Sequence, residues 1–257
     1  MLKLDNLTLV IGKTTILNRI SFGLQEGEIL GVTGPSGCGK TTLLKALSGN
    51  IKIPDNTIEL DGRDINEYRT KKLRKIIAFL PSAYEYNPES TIFQEVLKGR
   101  LHLKKMLNPY SDFDRESTFS ILKEMGIPGE PGKRMKHSSD SLKRISLIGQ
   151  TLNSEKDITF LDSPDRELDA LQTIFVIRTI KKFVSNGGRS VIIASSDIDF
   201  LIKTCDRIIF LKNGAIAGCG SADLITEDFM HQVFGINTLI SRNIVTGLPE
   251  IQVIDIN

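Results

Sequence analysis

The 257-residue chain contains no tryptophan, only three cysteines, and little excess of charge of either sign. Its formal net charge is +2 at pH 7, and no cluster of Lys and Arg is interleaved with aromatic residues. We therefore expect no nucleic-acid partner. Cys38, Cys205 and Cys219 are an odd number at scattered positions, which fits reduced thiols in a cytosolic protein and excludes a disulfide framework or a cysteine zinc site.

Long hydrophobic runs are also missing, because no apolar stretch approaches the roughly 18 residues that a membrane-spanning helix needs. His102, His137 and His231 do not have metal-ligand spacing, so we expect them to be surface or lobe residues. The sequence has no internal repeats and no low-complexity segments. Its hydrophobic content of 40% is enough for a substantial core, in one large domain or in two lobes.

The most informative segment is a glycine-rich stretch, residues 34–41, which fits the phosphate-loop pattern G-x-x-x-x-G-K-[ST]. It follows an apolar run, Glu28 to Thr33, that indicates a buried strand, and it precedes a helix-like stretch, Thr42 to Ser48. Backbone N–H groups of such a loop and of the following helix cradle phosphates. We expect Lys40 to reach the β- and γ-phosphates and Thr41 to ligate Mg²⁺. The predicted phosphate-binding residues are Gly34, Pro35, Ser36, Gly37, Cys38, Gly39, Lys40, Thr41 and Thr42.

Further along the chain, short apolar runs alternate with helical periods, which predicts a parallel sheet covered by helices. From Thr91 to about Leu152 the periods are helical, with Ile92 and Val96 as the inward residues, and another helix is predicted from Asp169 to Val184. The strand-like runs are Ile76–Leu80, Ile158–Leu161, Ser190–Ala194 and Arg207–Leu211.

A Walker B pattern, Ile158-Thr159-Phe160-Leu161-Asp162, follows the phosphate loop at a distance and is itself followed by Pro164 and Leu168-Asp169. This order and spacing resemble an ABC-transporter ATP-binding subunit over nearly the whole chain. Two C-terminal segments, Val233-Phe234-Gly235 and Thr246-Gly247-Leu248-Pro249, are similar to the importer branch for iron-siderophores and vitamin B12. The resemblance implies ATP with Mg²⁺ as ligands, and Thr41 and Asp162 as the residues that hold the metal.

The resemblance also implies an α/β fold, with a P-loop NTPase (RecA-like) core, an antiparallel β-subdomain and an inserted helical lobe. Residues 1–257 would form a single ABC-type ATP-binding domain. The core, β-subdomain and C-terminal hairpin would occupy 1–86 and 157–257, and the helical lobe would occupy 87–156. In the family, two such subunits bind ATP between them head to tail and drive membrane permease subunits. We therefore expect a homodimer or heterodimer that is cytoplasmic and peripheral on the inner face of the cell membrane.

Several positions that carry catalysis in the family hold other residues in this chain. Ser163 replaces the glutamate that polarises the attacking water, Ser196 replaces the switch histidine, and Ser82 replaces the Q-loop glutamine. A serine hydroxyl cannot act as a base at neutral pH without help. Ile11 aligns with the aromatic residue that stacks on adenine, and it offers no π-face. Asp165 is not expected to replace the glutamate, since it should point elsewhere.

The signature motif Leu-Ser-Gly-Gly-Gln of the family is matched by His137-Ser138-Ser139-Asp140-Ser141. A glycine whose bare backbone approaches the γ-phosphate is thereby replaced by a residue with a side chain. Asp140 places a carboxylate where the phosphate charge should lie, and two like charges ~6 Å apart repel by about 3 kcal/mol at an effective dielectric constant near 20. The signature residues implied by the resemblance are Ser138, Ser139, Asp140 and Ser141.

Each ATP site of such a dimer would join the phosphate-loop side of one subunit to the signature of the other, and both parts are altered in this chain. Two copies of the chain would therefore form two poor sites, and an intact partner would not restore either site. The sequence favours an ATP-binding subunit of an importer of iron-siderophore, haem or cobalamin type, with nucleotide binding retained and hydrolysis weak or lost. Tyr84 and Tyr86 are predicted to be exposed contacts for the permease. Two alternatives stay open: a pseudo-ATPase scaffold or regulator outside transport, and an active ATPase with replaced catalytic groups.

Overall fold

The computed structural model describes residues 2–103, 109–127 and 129–256, and alternates strands and helices along these ranges. The strands are β1 (Leu2–Ile11), β2 (Thr14–Leu24), β3 (Ile29–Thr33), β4 (Ile58–Leu60), β5 (Arg63–Asp64), β6 (Ile77–Leu80), β7 (Ile158–Asp162), β8 (Ser190–Ala194), β9 (Arg207–Lys212), β10 (Ala215–Gly220), β11 (Ile236–Arg242) and β12 (Pro249–Ile256). The helices are α1 (Lys40–Leu47), α2 (Thr70–Ile76), α3 (Ile92–Leu97), α4 (Asp112–Glu124), α5 (Asp140–Asn153), α6 (Ala170–Ser185), α7 (Ile198–Thr204) and α8 (Glu227–Phe234).

The central sheet has the strand order β10-β9-β3-β8-β7-β6 and is parallel except for β10. Every residue of β3, β7 and β8 is buried, as expected for parallel strands that are covered on both faces. Leu80 lies beside Leu161, Asp162 beside Ala194, and Ala194 beside Val32. This register brings the carboxyl ends of β3, β6, β7 and β8 to one edge of the sheet, where ligands bind in open α/β sheets.

Two antiparallel sheets complete the fold. The N-terminal strands form a four-stranded sheet in the order β2-β1-β4-β5, and their alternating apolar residues supply Leu2, Leu4 and Leu7 to the core. The C-terminal strands β11 and β12 form a hairpin whose pairing runs from Ile236–Ile256 to Arg242–Pro249. The predicted α/β fold, with a P-loop NTPase core, an antiparallel β-subdomain and an inserted helical lobe, is confirmed.

Helices α3, α4 and α5 lie between β6 and β7 in the chain and pack on one another. Ile92 and Val96 are fully buried in their shared core, as the helical period predicted. Thr91 begins α3 with a capping box, in which its hydroxyl accepts from the Gln94 amide and the Gln94 side chain accepts from the Thr91 amide. None of the helices within the described ranges has both the length and the apolar composition to cross a bilayer.

The contact between α5 and the turn after α3 predicts contrasting effects for two glycines. A Cβ at Gly99 would lie 2.1 Å from the backbone oxygen of Gln150, whereas a Cβ at Gly149 would meet Val96 at an ordinary 3.7 Å. We expect Gly99→Ala to lower the free energy of unfolding by about 2 kcal/mol or more because backbone atoms must move apart. Gly149→Ala should be neutral or slightly stabilising, because alanine favours a helix interior. Urea unfolding measures both, and equal effects would contradict this assignment.

Candidate functional site

A cavity of ≈ 620 Å³ lies at the edge of the central sheet where the parallel strands end. One part of its wall is the loop between β3 and α1 together with the first residues of α1. The rest comes mainly from segments that follow β6, β7 and β8. The lining residues are Ile16, Ser36, Gly37, Cys38, Gly39, Lys40, Thr41, Thr42, Ser82, Asp162, Ser163, Asp165, Arg166 and Ser196.

The predicted phosphate loop forms the strand-to-helix turn that its pattern requires. Gly34 has φ 148°, and a Cβ there would lie 2.1 Å from the backbone oxygen of Leu211, so the loop needs glycine at this position. Gly39 has φ 106° at the N-cap of α1, which accounts for the second glycine of the pattern. The N-terminus of the eight-residue α1 therefore opens into the cavity with its N–H groups.

Lys40 supplies a cation inside this loop. Its Nζ donates to the backbone oxygens of Gly34, at 2.7 Å, and Pro35, at 3.2 Å, and lies 3.8 Å from the Cys38 Sγ. The ammonium is therefore held by neutral acceptors within the loop. An anionic ligand in the cavity can replace these carbonyl oxygens as a stronger, charge-assisted partner.

Asp162 ends β7 and lines the cavity, and one oxygen of its carboxylate accepts no hydrogen bond from the described residues. Asp162 is only 2% exposed, and its Oδ2 has no hydrogen-bond partner in the part of the chain that the structure describes. Thr41 lines the same cavity and offers a hydroxyl oxygen. A hard cation such as Mg²⁺ prefers such oxygen donors, so these two residues fit a nucleotide-bound metal.

Ser82, Ser163 and Ser196, which the resemblance aligns with catalytic positions of the family, all line this cavity together with the phosphate loop. Ser163 has φ 54°, an uncommon left-handed conformation for a residue with a side chain, and its amide donates to the Ala194 oxygen at 2.7 Å. The cavity therefore holds three serine hydroxyls at positions where the resemblance implies a glutamine, a glutamate and a histidine.

Asp165 also lines the cavity, contrary to the expectation that it points elsewhere. The tight turn that begins at the left-handed Ser163 returns the chain to the cavity, and a single sequence does not reveal that backbone conformation. Burial raises the pKa of the Asp165 carboxyl, while a hydrogen bond with Ser195 lowers it and the nearby Asp197 raises it further. Arg166, which sequence reasoning missed, is exposed and lines the same cavity.

The residue aligned with the adenine-stacking aromatic lies elsewhere. Ile11 ends β1 with 54% of its surface exposed, and it is not one of the residues described as lining the cavity. Ile16 of β2 contributes an apolar side chain to the cavity instead. The described lining includes no aromatic residue, so a bound base would find aliphatic contact only.

Residues of the predicted signature motif surround the N-terminus of α5. The Ser139 hydroxyl caps this helix by accepting from the Leu142 amide at 3.3 Å, and Asp140 pairs with Lys143 at 2.8 Å. Residues 138–141 are not among the described lining of the cavity. Within one chain, the structure therefore does not bring the signature to the phosphate loop.

Arg144, which sequence reasoning also missed, joins α5 to the cavity wall. The residue is only 1% exposed, and its guanidinium donates to the backbone oxygens of Asp162 and Ser163, both at 2.5 Å, and of Pro81, at 3.3 Å. The sequence offers one signal for it, an arginine next to the apolar residues Leu142, Ile145 and Ile148, which recur at helical spacing. Its position ties the helix to the ends of β6 and β7.

Tyr84 and Tyr86 are half-buried, whereas the sequence predicted exposed contacts. The Arg144 Cζ lies 5.2 Å from the centre of the Tyr84 ring, and the Lys143 Nζ lies 5.6 Å from the centre of the Tyr86 ring. Both tyrosines also pack against buried apolar clusters. Removing both rings would therefore disturb packing as well as any contact with a partner.

The sequence model of the ABC transporter family matches residues 17–166, which is more than half of the chain. An uncharacterised ABC transporter ATP-binding protein of Methanocaldococcus jannaschii is 28% identical over 250 residues, covering 97% of this chain and 96% of that protein. The ferric enterobactin transport ATP-binding protein of Escherichia coli is 24% identical over 246 residues, covering 95% and 91%. The phosphonates import ATP-binding protein of Oceanobacillus iheyensis is 25% identical over 231 residues, covering 87% and 91%.

Solved structures share this fold at lower sequence identity. A metal-chelate type ABC transporter in an inward-facing conformation superposes with a TM-score of 0.81 at 18% identity, covering 99% of this chain and 97% of that chain. A dimeric ATP-binding cassette bound to ADP and Pi superposes with a TM-score of 0.76 at 23% identity, covering 86% and 98%. The chain belongs to the ABC transporter family, and its fold is that of the family's ATP-binding cassettes.

Proposed function

We propose that this protein is the ATP-binding subunit of a membrane importer, in which nucleotide binding is retained and hydrolysis is weak. The observation that carries the proposal is the cavity at the sheet edge, where an intact phosphate loop meets the carboxylate of Asp162. A polyphosphate suits this loop because of its glycines at 34 and 39, the cation of Lys40 and the N–H groups at the N-terminus of α1.

Mg²⁺ fits this cavity because its two candidate ligands offer hard oxygen donors. The partnerless Oδ2 of Asp162 and the hydroxyl of Thr41 would hold the ion together with phosphate oxygens. When bound, the ion would neutralise part of the phosphate charge. Lys40 would then exchange its loop carbonyl contacts for phosphate oxygens.

Weak hydrolysis follows from what the cavity contains at three other positions. Ser82, Ser163 and Ser196 lie at the ends of neighbouring strands, and their hydroxyls are too short and too weakly basic to orient and deprotonate a water as longer basic side chains do. The proposed role of Asp140 points the same way. Lys143 offsets its charge at 2.8 Å, but a side chain where the family has glycine would hold a bound phosphate further away in a head-to-tail dimer. The chain would thus bind nucleotide more readily than it cleaves it.

The importer assignment rests on relatives that include siderophore transport, iron-hydroxamate import and phosphonate import proteins. We propose an iron-chelate substrate class, membrane permease subunits as partners, and pairing with a second ATP-binding subunit, which is the same chain or another. The protein would then lie on the cytoplasmic face of the membrane. Residues 87–156 are proposed as the helical lobe, and 1–86 with 157–257 as the core.

The degenerate cavity predicts that hydrolysis does not return with one substitution. Turnover by the purified chain should stay below about 0.1 s⁻¹, an order of magnitude under the usual lower range for enzymes. Ser163→Glu should raise it by less than about threefold, because groups that act as a unit are non-additive and a glutamate there would need φ near 54°. Phosphate release under steady-state conditions measures both. A rise of about 100-fold in the single variant would show that the other replaced positions matter little.

A further inference from the structure

We infer that Asp165 is the catalytic base for the residual hydrolysis of nucleotide in this cavity, taking the place of the glutamate that is absent at position 163. The inference rests on the proposed nucleotide site and adds a residue to it. Of the residues that the structure describes as lining the cavity, two are carboxylates, Asp162 and Asp165. Because Asp162 fits the metal, Asp165 is the carboxylate left to accept a proton.

The loop after β7 gives this carboxylate its position. Ser163 and Glu167 both have positive φ values, 54° and 68°, and Arg144 holds the carbonyl oxygen of Ser163 at 2.5 Å. Pro164 between them is buried. The loop is therefore anchored at its start, and Asp165 reaches the cavity two residues after the position where the family carries its glutamate.

The surroundings of Asp165 suit a proton acceptor. Its Oδ1 is buried and has no hydrogen-bond partner within the described ranges, so one carboxylate oxygen is not neutralised by a donor. The groups that act on it are Ser195 and Asp197 from the segment after β8, and Arg144 from α5. Lys40, Asp162 and Arg166 share the cavity with it. Burial and Asp197 raise the pKa of this carboxyl, which makes its anion a stronger base than an exposed aspartate.

In the inferred step, the oxygen of a water molecule forms a bond to the γ-phosphorus while the bond from that phosphorus to the β,γ-bridging oxygen breaks. The electron pair of the broken bond stays on the ADP oxygen, and the water proton passes to the Asp165 carboxylate. Asp165 then releases this proton to solvent. The positive charge of Arg166 lies in the same cavity and can attract the departing phosphate.

The test compares Asp165→Asn with Asp199→Asn, the same change at an exposed carboxyl of α7 that is not among the residues described as lining the cavity. We expect Asp165→Asn to lower kcat about 10-fold or more, since general bases contribute at least that much, while the Kd for Mg-ATP by calorimetry changes less than about twofold. Asp199→Asn should change neither. The wild-type rate should fall as pH falls through the Asp165 pKa, and this limb should disappear in Asp165→Asn.

A second variant covers the case in which Asp165→Asn folds poorly. Asp165→Ala should lose turnover and regain part of it with added formate, a rescue that a merely structural role would not produce. Any one of three results would overturn the inference. They are an unchanged kcat in Asp165→Asn, no rescue of Asp165→Ala by formate, and a wild-type turnover no higher than that of Lys40→Ala. If calorimetry detects no Mg-ATP binding by the wild type, the proposed nucleotide site fails instead, and the role of Asp165 fails with it.

Discussion

Lys40→Ala is expected to remove detectable Mg-ATP binding, with a loss in affinity of at least about 100-fold, which corresponds to ~2.7 kcal/mol. The wild-type cavity should bind Mg-ATP with a Kd of roughly 10 μM or weaker, because no described lining residue offers an aromatic face and a stacked ring typically adds about 1 kcal/mol. Affinity therefore depends mainly on the phosphate contacts, and Lys40 is the cation held within the loop.

Lys45→Ala is the matched control, because Lys45 lies on the same helix, is exposed and does not line the cavity among the described residues. Isothermal titration calorimetry with Mg-ATP should give an unchanged Kd for this control. Equal affinity of the wild type and Lys40→Ala for Mg-ATP would contradict the assignment of the nucleotide site. Thermal unfolding of both variants separates a lost contact from a lost fold.

The elements that the sequence predicted well are those whose local patterns agree with the fold. The phosphate loop needs glycine at 34 because its φ is positive and a side chain there would clash with the backbone of Leu211, and the pattern requires this glycine. The predominantly apolar runs at β3, β7 and β8 match strands that are buried on both faces. The inward pair Ile92 and Val96 follows in the same way from the helical period.

The features that the sequence did not predict depend on long-range contacts or on one backbone angle. Asp165 faces the cavity because the turn starts at a left-handed Ser163, which no neighbouring residue type announces. Tyr84 and Tyr86, which the sequence predicted to be exposed contacts, are half-buried because cationic side chains of α5 lie over their rings. The resemblance aligns Ile11 with the residue that contacts adenine, but in the structure Ile16 of β2 lines the cavity instead.

Arg144→Met is expected to lower the free energy of unfolding by about 3 kcal/mol, because each buried acceptor that is left without its donor costs roughly 1–3 kcal/mol. The backbone oxygens of Pro81, Asp162 and Ser163 would each lose a charged donor at a buried site. Arg144→Lys should also be destabilising, because one ammonium cannot reach the carbonyl oxygens that the two guanidinium nitrogens contact.

The control is Arg115→Met on α4, where the arginine is exposed and the change should cost less than about 0.5 kcal/mol. Urea unfolding gives the free energies, and calorimetry gives a second readout. The Arg144 variants that remain folded should bind Mg-ATP less tightly than the wild type, because Asp162 and the loop that begins at Ser163 lose their anchor to α5. If Arg144→Met matched Arg115→Met in both measurements, the link between α5 and the cavity wall would carry neither stability nor site geometry.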